Sequence, residues 1–465
     1  MQYNIKLVGE KKLYVNESEI KNNCLDGGRG SYANCLNSTY AMKDIPAFIE
    51  EDYMTTKYNY LARIEYELKT LTGFDGVTTD YTKTWKDADK EFRTDKDIGR
   101  QLNKSIKLED HLDTSAINES NLLEKAKLIY KHVQKKYTWN EEFNIFTNVS
   151  VKDLIKNKSG NVSSINILLH NLLKESDIEV KPLLISTRNN GFATKIYPVI
   201  SDFNYLMVQV VIDEKTYVLD ATGKYLSFGE IPFRCLNSYG RLMDLKKGSE
   251  WIDIVPKELS TMQYRVELHI DDNETITGEI RSKTTGYHSL YKRKAYYKNK
   301  DSYITDLDNK YSNIEIFDHE LTKGEETNSE FVETYNIEYN PDETGDVIYL
   351  NPFFVKFFTE NPFKLQERTY PIDFGYKDTF YYTLKLDLGE HYSVLEKPKD
   401  LNLALPNNKG TIRFSSIIQG NVVNLLFKVS FKDAIYASEY YSYLKEFMSK
   451  AVETQTNSLI VLKKK

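Results

Sequence analysis

The stretch Lys158-Ser-Gly-Asn-Val-Ser-Ser-Ile-Asn166 leads from a short polar turn directly into an apolar helix. The helix predicted over residues 162–174 carries aliphatic side chains at three-to-four-residue spacing, the pattern of a buried helix. Ser163 and Ser164 suit the capping of its start. We therefore expect this helix to occupy the centre of a globular core. The aliphatic side chains are Ile165, Leu168, Leu169, Leu172 and Leu173.

The segments around this helix favour an α+β core. An amphipathic helix is predicted before it, over residues 118–137. Strands are predicted after it at 180–187, 205–212 and 216–220, and Asp213-Glu-Lys215 is the hairpin turn between the last two. The order of two helices followed by antiparallel strands predicts a mixed fold with the apolar helix packed on a sheet.

The rest of the sequence is predicted to be β structure. Residues 3–92 alternate apolar and polar residues, and from residue 251 onward the pattern is nearly all β until one amphipathic helix at 438–453. A chain of 465 residues exceeds the roughly 250–300 residues of one core. We predict four parts: the C-terminal part of a β domain at 1–112, the core at 113–256, a β domain at 257–370 and a β domain with one helix at 371–465.

Composition excludes several classes of protein. Hydrophobic residues make up 40% and charged residues 28%, so the chain can bury real cores. The net charge is −6 with both signs intermixed, and no basic stripe for nucleic acid is present. No apolar run approaches the roughly 18 residues of a transmembrane helix, and the first residues lack the apolar segment of a secretory signal. We expect a soluble protein that does not bind nucleic acid.

Cysteine and histidine usage gives no sign of a metal or cofactor. Of the three cysteines, Cys24 and Cys35 are close enough in sequence to pair, but the count leaves Cys235 over and the pairing stays open. The seven histidines show no metal-ligand spacing, and His170 is expected to be a structural residue. We predict no metal and no cofactor.

Three segments together resemble the transglutaminase-like core, which has the cysteine-proteinase (papain) type of fold. They are the stretch quoted above, Phe203-Asn-Tyr205, and Tyr217-Val-Leu-Asp-Ala-Thr222. In that family a Gly-x-Cys at a helix start supplies the nucleophile, a His on the following strand supplies the base, and an Asp on the next strand orients the His. The resemblance places Gly160 at the Gly, Val162 at the Cys, Tyr205 at the His and Asp220 at the Asp.

Further motifs resemble a bacterial group of three-part proteins, in which uncharacterised β domains precede and follow a transglutaminase-like core. The resemblance implies β-sandwich-like flanks, a front β domain that continues a larger one, and a periplasmic or cell-surface location. The motifs are Asp44-Ile-Pro-Ala-Phe48, Thr84-Trp85, Leu184-Ile-Ser-Thr-Arg188 with Gly191, Ile231-Pro-Phe-Arg-Cys-Leu-Asn237, Asn361-Pro-Phe363 and Arg368-Thr-Tyr-Pro371.

The same correspondence implies a protein without catalytic activity. An isopropyl group cannot attack a carbonyl, and a phenol with a pKa near ~10 is a poor base at neutral pH. We expect a non-enzymatic binding or scaffolding protein of the cell envelope whose partner is an unidentified peptide, protein or glycan. The candidate binding residues are Trp139, Ser163, Arg188, Tyr205 and Asp220.

Two alternatives stay open. An active hydrolase or acyltransferase is possible if Ser163 with Asp220 replaces the usual nucleophile, although no His lies in the matching strand to activate the hydroxyl. Ser164 and Cys235 are weaker nucleophile candidates. A purely structural partner of other envelope proteins is the third possibility. Arg188 is a candidate for binding a carboxylate or glycan-bearing ligand, but a structural ion pair is the stronger interpretation.

Overall fold

The computed structural model describes residues 2–8, 14–45, 47–81, 83–256, 259–271, 274–311, 313–325, 328–341, 343–344 and 346–465. Pro46, in one of the motifs above, and Lys257, at a predicted domain boundary, lie outside these residues. The chain separates into two compact units. The first comprises Met1–Glu50, Thr55–Thr222 and Asn237–Ile254, and the second comprises Glu51–Met54, Gly223–Leu236 and Val255–Lys465.

The first unit begins with β structure. A sheet of order β1-β4-β5 is accompanied by an antiparallel pair of β2 with β3, and a disulfide joins Cys24 on β2 to Cys35 on β3. The pairing that the sequence left open is therefore present. The strands are β1 (Gln2–Val8), β2 (Tyr14–Asp26), β3 (Tyr32–Ala41), β4 (Arg63–Thr72) and β5 (Thr78–Asp80).

Helices and a sheet form the rest of the first unit. The sheet is antiparallel with order β10-β9-β8-β11-β12, and α6 packs on β8 and β9. The helices are α1 (Trp85–Thr94), α2 (Gly99–Leu102), α3 (Thr114–Ile117), α4 (Leu122–Lys136), α5 (Val151–Asn157) and α6 (Val162–Glu175). The strands are β6 (Thr138–Trp139), β7 (Ser159–Gly160), β8 (Glu179–Ile185), β9 (Tyr205–Ile212), β10 (Lys215–Leu219), β11 (Tyr239–Leu242) and β12 (Glu250–Asp253).

The predicted α+β order of this unit is confirmed, but the β pattern expected through Phe92 is wrong at its end. Residues 85–94 form α1 because Thr84 and Asp87 make a capping box, in which each side chain accepts the backbone N–H of the other residue. Helix α6 is capped by Asn161, whose side chain accepts the Ser164 N–H at 2.9 Å. The cap predicted at Ser163 and Ser164 is therefore wrong, because the capping residue lies two to three residues earlier.

The second unit is built on a long sheet of order β15-β16-β14-β13-β20-β24-β23-β22. Its strands pair antiparallel except for β13 and β20, which are parallel. The strands are β13 (Ser260–Ile270), β14 (Ile276–Thr285), β15 (Glu315–Lys323), β16 (Glu330–Tyr339), β20 (Asp378–Asp387), β22 (Leu401–Ala404), β23 (Gly410–Gln419) and β24 (Val422–Phe431).

A smaller sheet of order β17-β18-β26-β21 and a pair of β19 with β25 complete the second unit. Apolar residues of both sheets and of α9 belong to one buried core. The strands are β17 (Glu343–Thr344), β18 (Val347–Leu350), β19 (Ile372–Asp373), β21 (Tyr392–Glu396), β25 (Ile435–Tyr436) and β26 (Ile460–Lys464), and the helices are α7 (Gly286–Lys298), α8 (Lys300–Lys310) and α9 (Tyr441–Asn457).

Two features of the second unit differ from the sequence prediction. The prediction of nearly continuous β structure from residue 251 is wrong at α7 and α8, whose sequences lack a clear apolar stripe. Strands from both sides of the boundary predicted between residues 370 and 371 share the long sheet, because β13 and β20 pair from Ser260↔Asp378 to His269↔Asp387. No helix in the described part of the chain is both long and apolar enough to cross a bilayer.

Candidate functional site

The start of α6 lies beside the predicted aromatic candidate Trp139. Strands β6 and β7 pair Trp139 with Gly160, and the Asn140 N–H donates to the Gly160 carbonyl at 3.0 Å. A Cβ at Gly160 would lie 3.0 Å from side-chain atoms of Leu154 and Ser164. A side chain at this position would require these neighbours to shift by a few tenths of an ångström, so the close packing of the chain that enters α6 favours glycine.

Val162 is the first residue of α6 and is completely buried. Its N–H donates to the Glu142 carbonyl at 3.3 Å, so a backbone group and not a ligand faces this part of the helix start. The side chain at this position is aliphatic, and it offers neither a nucleophile nor a hydrogen-bonding group. A helix N-terminus lowers the pKa of a cysteine placed there and so favours the thiolate, but position 162 carries no thiol.

A polar cluster, which we call the Tyr205–Asp220 cluster, consists of Asn166, Tyr205, Asp220 and Thr222. Tyr205 begins β9 and Asp220 directly follows β10. The Tyr205 hydroxyl donates to Asp220 Oδ2 at 2.8 Å and lies 2.9 Å from the Thr222 hydroxyl. The side chains of Asn166, Tyr205 and Asp220 are completely buried. The structure thus brings two of the three predicted triad positions into direct contact.

The Asp220 carboxylate accepts several further hydrogen bonds. Asn166 Nδ2 donates to Oδ1 at 2.9 Å and also to the Leu206 carbonyl at 2.8 Å. The Thr222 N–H donates to Oδ1 at 3.1 Å, and its hydroxyl lies 2.8 and 2.9 Å from the two carboxylate oxygens. Donors to a buried carboxylate offset its lost hydration. The cluster therefore ties α6, β9 and the end of β10 together.

Phe143, in the loop after β6, packs against Tyr205, and Trp139 of β6 packs against Phe143 in turn. The Phe143 ring is 5.8 Å from the Tyr205 ring, and Trp139 packs edge-on against Phe143 with centroids 5.2 Å apart. Trp139 Nε1 donates to the Glu142 carbonyl at 3.1 Å. Phe143 is 44% exposed, whereas Tyr205 beneath it is not exposed. Phe143 consequently stands between the predicted site residue Tyr205 and solvent.

The two serines of α6 are buried and use their hydroxyls in structural contacts. Ser163 donates to the Asn144 carbonyl, and Ser164 donates to the Val149 carbonyl at 3.1 Å and lies 2.9 Å from Asn161 Oδ1. Among the described residues, no imidazole or carboxylate hydrogen-bonds either hydroxyl. Neither serine has the base that nucleophilic catalysis requires.

The other predicted residues lie elsewhere. Arg188 follows β8 and is 8% exposed, and Cys235 is a buried residue of the second unit that takes no part in the disulfide. His170 lies two turns along α6, where its Nδ1 is 2.9 Å from Asn171 Oδ1. Burial lowers the pKa of His170 to about 4. This histidine is therefore neutral at physiological pH.

Sequence reasoning missed three side chains that shape this site: Asn166, Thr222 and Phe143. Asn166 follows Val162 by one helical turn and so shares its face, which was a usable signal. Nothing local marked Phe143, since its contact depends on how the loop folds over β9. The described residues contain no group of three or more His, Cys, Asp or Glu side chains that could hold a metal.

Comparison with known proteins finds a match for part of the chain and a similar fold for most of it. Residues 346–461 match the family model of a domain of unknown function, DUF3858. A crystal structure of a "putative protease" from Parabacteroides distasonis superposes with a TM-score of 0.53 at 12% sequence identity. The superposition covers 98% of this chain and 70% of the chain in that crystal structure. That likeness concerns the fold alone. A search of curated protein sequences finds no match.

Proposed function

We propose that the first unit is a transglutaminase-like core without its catalytic pair, and that the protein binds a peptide, protein or glycan at the bacterial cell envelope. The observation that carries this proposal is the buried contact between Tyr205 and Asp220. A phenol stands where the family has its imidazole, and its proton points at the carboxylate. The periplasmic or cell-surface location is part of the proposal and follows from the family resemblance.

The chemistry of thiol-dependent acyl transfer explains why this contact argues against catalysis. Such a reaction needs a thiolate and a base that exchanges protons with it near neutral pH. Val162 has no ionisable proton, and an ordinary phenol with a pKa near ~10 stays protonated at pH 7. Asp220 keeps its orienting contact but has no imidazole to orient. The cluster can stabilise the core, whereas it cannot move a proton to or from a substrate.

A serine-dependent reaction has less support. Ser163 hydrogen-bonds a backbone carbonyl, which cannot remove its proton, and the carboxylate of Asp220 is engaged by Asn166, Tyr205 and Thr222. Both serine side chains are inaccessible to solvent. A substrate carbonyl would have to displace the loop that carries Asn144 before it could reach Ser163.

The proposal is tested by labelling the protein with a fluorophosphonate for activated serine and with iodoacetamide for activated thiol, followed by mass spectrometry. We expect no fluorophosphonate adduct at Ser163 or Ser164 and no fast alkylation of Cys235 in the folded protein. Hydrolysis of a peptide library should not exceed that of a heat-denatured sample. Rapid labelling of any of these three residues, or turnover, would overturn the non-catalytic assignment.

The triad correspondence is tested separately by restoring the missing groups. In the double variant Val162→Cys/Tyr205→His, an imidazole near the new thiol should lower its pKa and accelerate alkylation at position 162 at neutral pH. Val162→Cys alone is the matched control, and far-UV circular dichroism shows whether each variant is folded. Equal alkylation rates in the folded single and double variants would mean that positions 162 and 205 do not face each other.

A further inference from the structure

The long sheet of the second unit has one face in the core and one face toward solvent. Burial alternates along its strands: in β13, Val266 and Leu268 are buried while Arg265 and Glu267 are exposed. We call the solvent side of β13, β14, β20, β24, β23 and β22 the open face. Its side chains are predominantly polar, as expected for an antiparallel sheet with one solvated side.

Register places the side chains of the open face in rows across the strands. One row runs from Gln263 through Tyr381, Lys428 and Arg413 to Asn402. Lys428 and Arg413 are directly opposite each other, and both are exposed. Neighbouring strands lie roughly 5 Å apart, so the two cations and the Tyr381 ring form one continuous patch.

Directly opposed like charges destabilise a sheet unless another charge compensates them. Elsewhere on the open face compensation is present: Arg265 lies opposite Arg281, but the next row carries Glu267 and Glu279, and Arg265 Nε donates to Glu267 at 2.7 Å.

The pair of Lys428 and Arg413 has no such compensation. Neither residue forms an ion pair or a side-chain hydrogen bond within the described ranges. The neighbouring positions of the open face on β20, β24 and β23 hold no carboxylate; they are Thr379, Tyr381, Thr383, Thr411, Ser415, Leu426 and Ser430. On the β22 side, Asn402 and Ala404 are neutral, and the carboxylate of Asp400, just before β22, accepts from the Ser416 N–H at 3.0 Å.

The next rows add hydrogen-bonding groups and a shallow depression. Thr383 and Ser415 lie two residues along from Tyr381 and Arg413, and they line a cavity of about 330 Å³ together with Asn424. Hydroxyl and amide groups of this kind donate to and accept from the hydroxyls of a sugar. The exposed cation Lys385 lines the same depression, and so does Glu267, whose carboxylate accepts from Arg265 Nε at 2.7 Å.

We propose that the open face binds an acidic glycan. A carboxylate of the glycan would sit between Arg413 and Lys428 and neutralise their repulsion, and a sugar ring would lie on the Tyr381 ring. Adjacent sugar hydroxyls would bond Thr383 and Ser415. Around Arg413 and Lys428 the face presents charges and hydroxyl groups, which suit a glycan better than the buried aromatic anchor of a protein partner. This inference is independent of the Tyr205–Asp220 cluster and holds whether or not the first unit is catalytic.

Binding of the full chain to polygalacturonate, with dextran as the neutral polymer, tests the proposal. We expect binding to polygalacturonate alone, weakened by added salt. Arg413→Gln/Lys428→Gln should weaken it at least about tenfold, because two charge-assisted contacts are lost. The matched control is Lys294→Gln/Lys298→Gln, which removes the same charge from exposed positions of α7 and should leave binding unchanged.

A second pair of variants tests the contribution of the Tyr381 ring to binding. Tyr381→Ala should weaken binding to polygalacturonate, whereas Tyr381→Phe should retain it, since stacking needs the ring and not the hydroxyl. Each variant is first shown to unfold at the wild-type urea concentration. Absence of binding to polygalacturonate, equal binding to dextran, equal binding to poly-glutamate, or an unchanged affinity of Arg413→Gln/Lys428→Gln would each overturn the proposal. The first-unit labelling experiments are unaffected by any of these results.

Discussion

Asp220 of the first unit and Glu333 of the second unit are both completely buried carboxylates, and the side chains that stabilise them differ. Asp220 of the first unit accepts from an amide, hydroxyls and a backbone N–H. Glu333 of the second unit is also completely buried, and it accepts from the Lys292 ammonium, from His319 Nε2 at 2.9 Å and from the Tyr303 hydroxyl at 2.8 Å. We call the latter the Glu333 cluster.

The Glu333 cluster contains the reactive residue types that a catalytic site uses, yet its chemistry is that of an anchor. Burial raises the pKa of Glu333, but the Lys292 charge and the hydrogen bonds from His319, Lys292 and Tyr303 outweigh it and lower the pKa to about 2. Ion-pair networks perturb pKa values just as active sites do. Residue types alone therefore do not distinguish a working site from a structural one; accessibility and proton affinity do.

The largest change in the free energy of unfolding is expected for a substitution at Glu333. Glu333→Gln leaves the Lys292 ammonium buried without its counterion, which should lower the free energy of unfolding of the second unit by about 3–5 kcal/mol. Urea unfolding followed by far-UV circular dichroism measures this change. All three tryptophans, Trp85, Trp139 and Trp251, belong to the first unit, so tryptophan fluorescence reports the other transition in the same sample.

The control for this prediction removes both charges. Lys292→Met/Glu333→Leu should be far less destabilising than the single change, because an apolar pair needs no counterion. A double variant as unstable as Glu333→Gln would show that hydrogen bonds, and not the unpaired charge, dominate the Glu333 cluster.

The two units should lose stability at different pH values as the solution is acidified. The folded pKa of His170 is about 4 and its ordinary value is 6.5, so the unfolded chain takes up the proton first as the pH falls. Stability from this group is complete above pH 6.5 and decreases by up to about 3 kcal/mol between pH 6.5 and 4. For Glu333, stability is complete above pH 4.5 and is lost as the pH falls toward 2. The first unit should thus respond at the milder pH.

Urea midpoints from tryptophan fluorescence, measured from pH 7.5 to 4.5, check this prediction. His170→Gln removes the titrating group and should flatten the pH dependence over that range. An unchanged slope in His170→Gln would assign the dependence to other residues and remove this difference between the units.

Smaller effects are expected in the Tyr205–Asp220 cluster. Asp220→Asn places an amide nitrogen beside the donors of Asn166 and Thr222 and should lower the free energy of unfolding by about 1–3 kcal/mol. Tyr205→Phe should lower it by about 1 kcal/mol, because the hydroxyl loses its hydrogen bond to Asp220 while Asn166 and Thr222 still stabilise the carboxylate. The tryptophan-monitored urea transition measures both. If Tyr205→Phe were the more damaging change, the cluster would depend on the phenol more than on the carboxylate.

Sequence patterns predicted the parts of the fold in which local periodicity agrees with burial. Helix α6 and strands β8 and β9 are such parts, because their apolar runs are buried in the core. Helix α7 is different: it is rich in tyrosine and lysine, and it is held by a buried arginine, Arg293, that bonds Ser227 and Glu230. Those partners lie more than 60 residues away, so no local pattern shows them.

The sequence by itself determined which side chains are available: an aliphatic residue at 162, a phenol at 205, and strands with one apolar and one polar side. Only the tertiary structure decided which of them meet. It surrounded Asp220 with Asn166 and Thr222, and the parallel pairing of β13 with β20 joined two stretches of β sequence into one sheet. Strand neighbours are chosen by packing between segments distant in the chain, and periodicity fixes only the face that each segment presents.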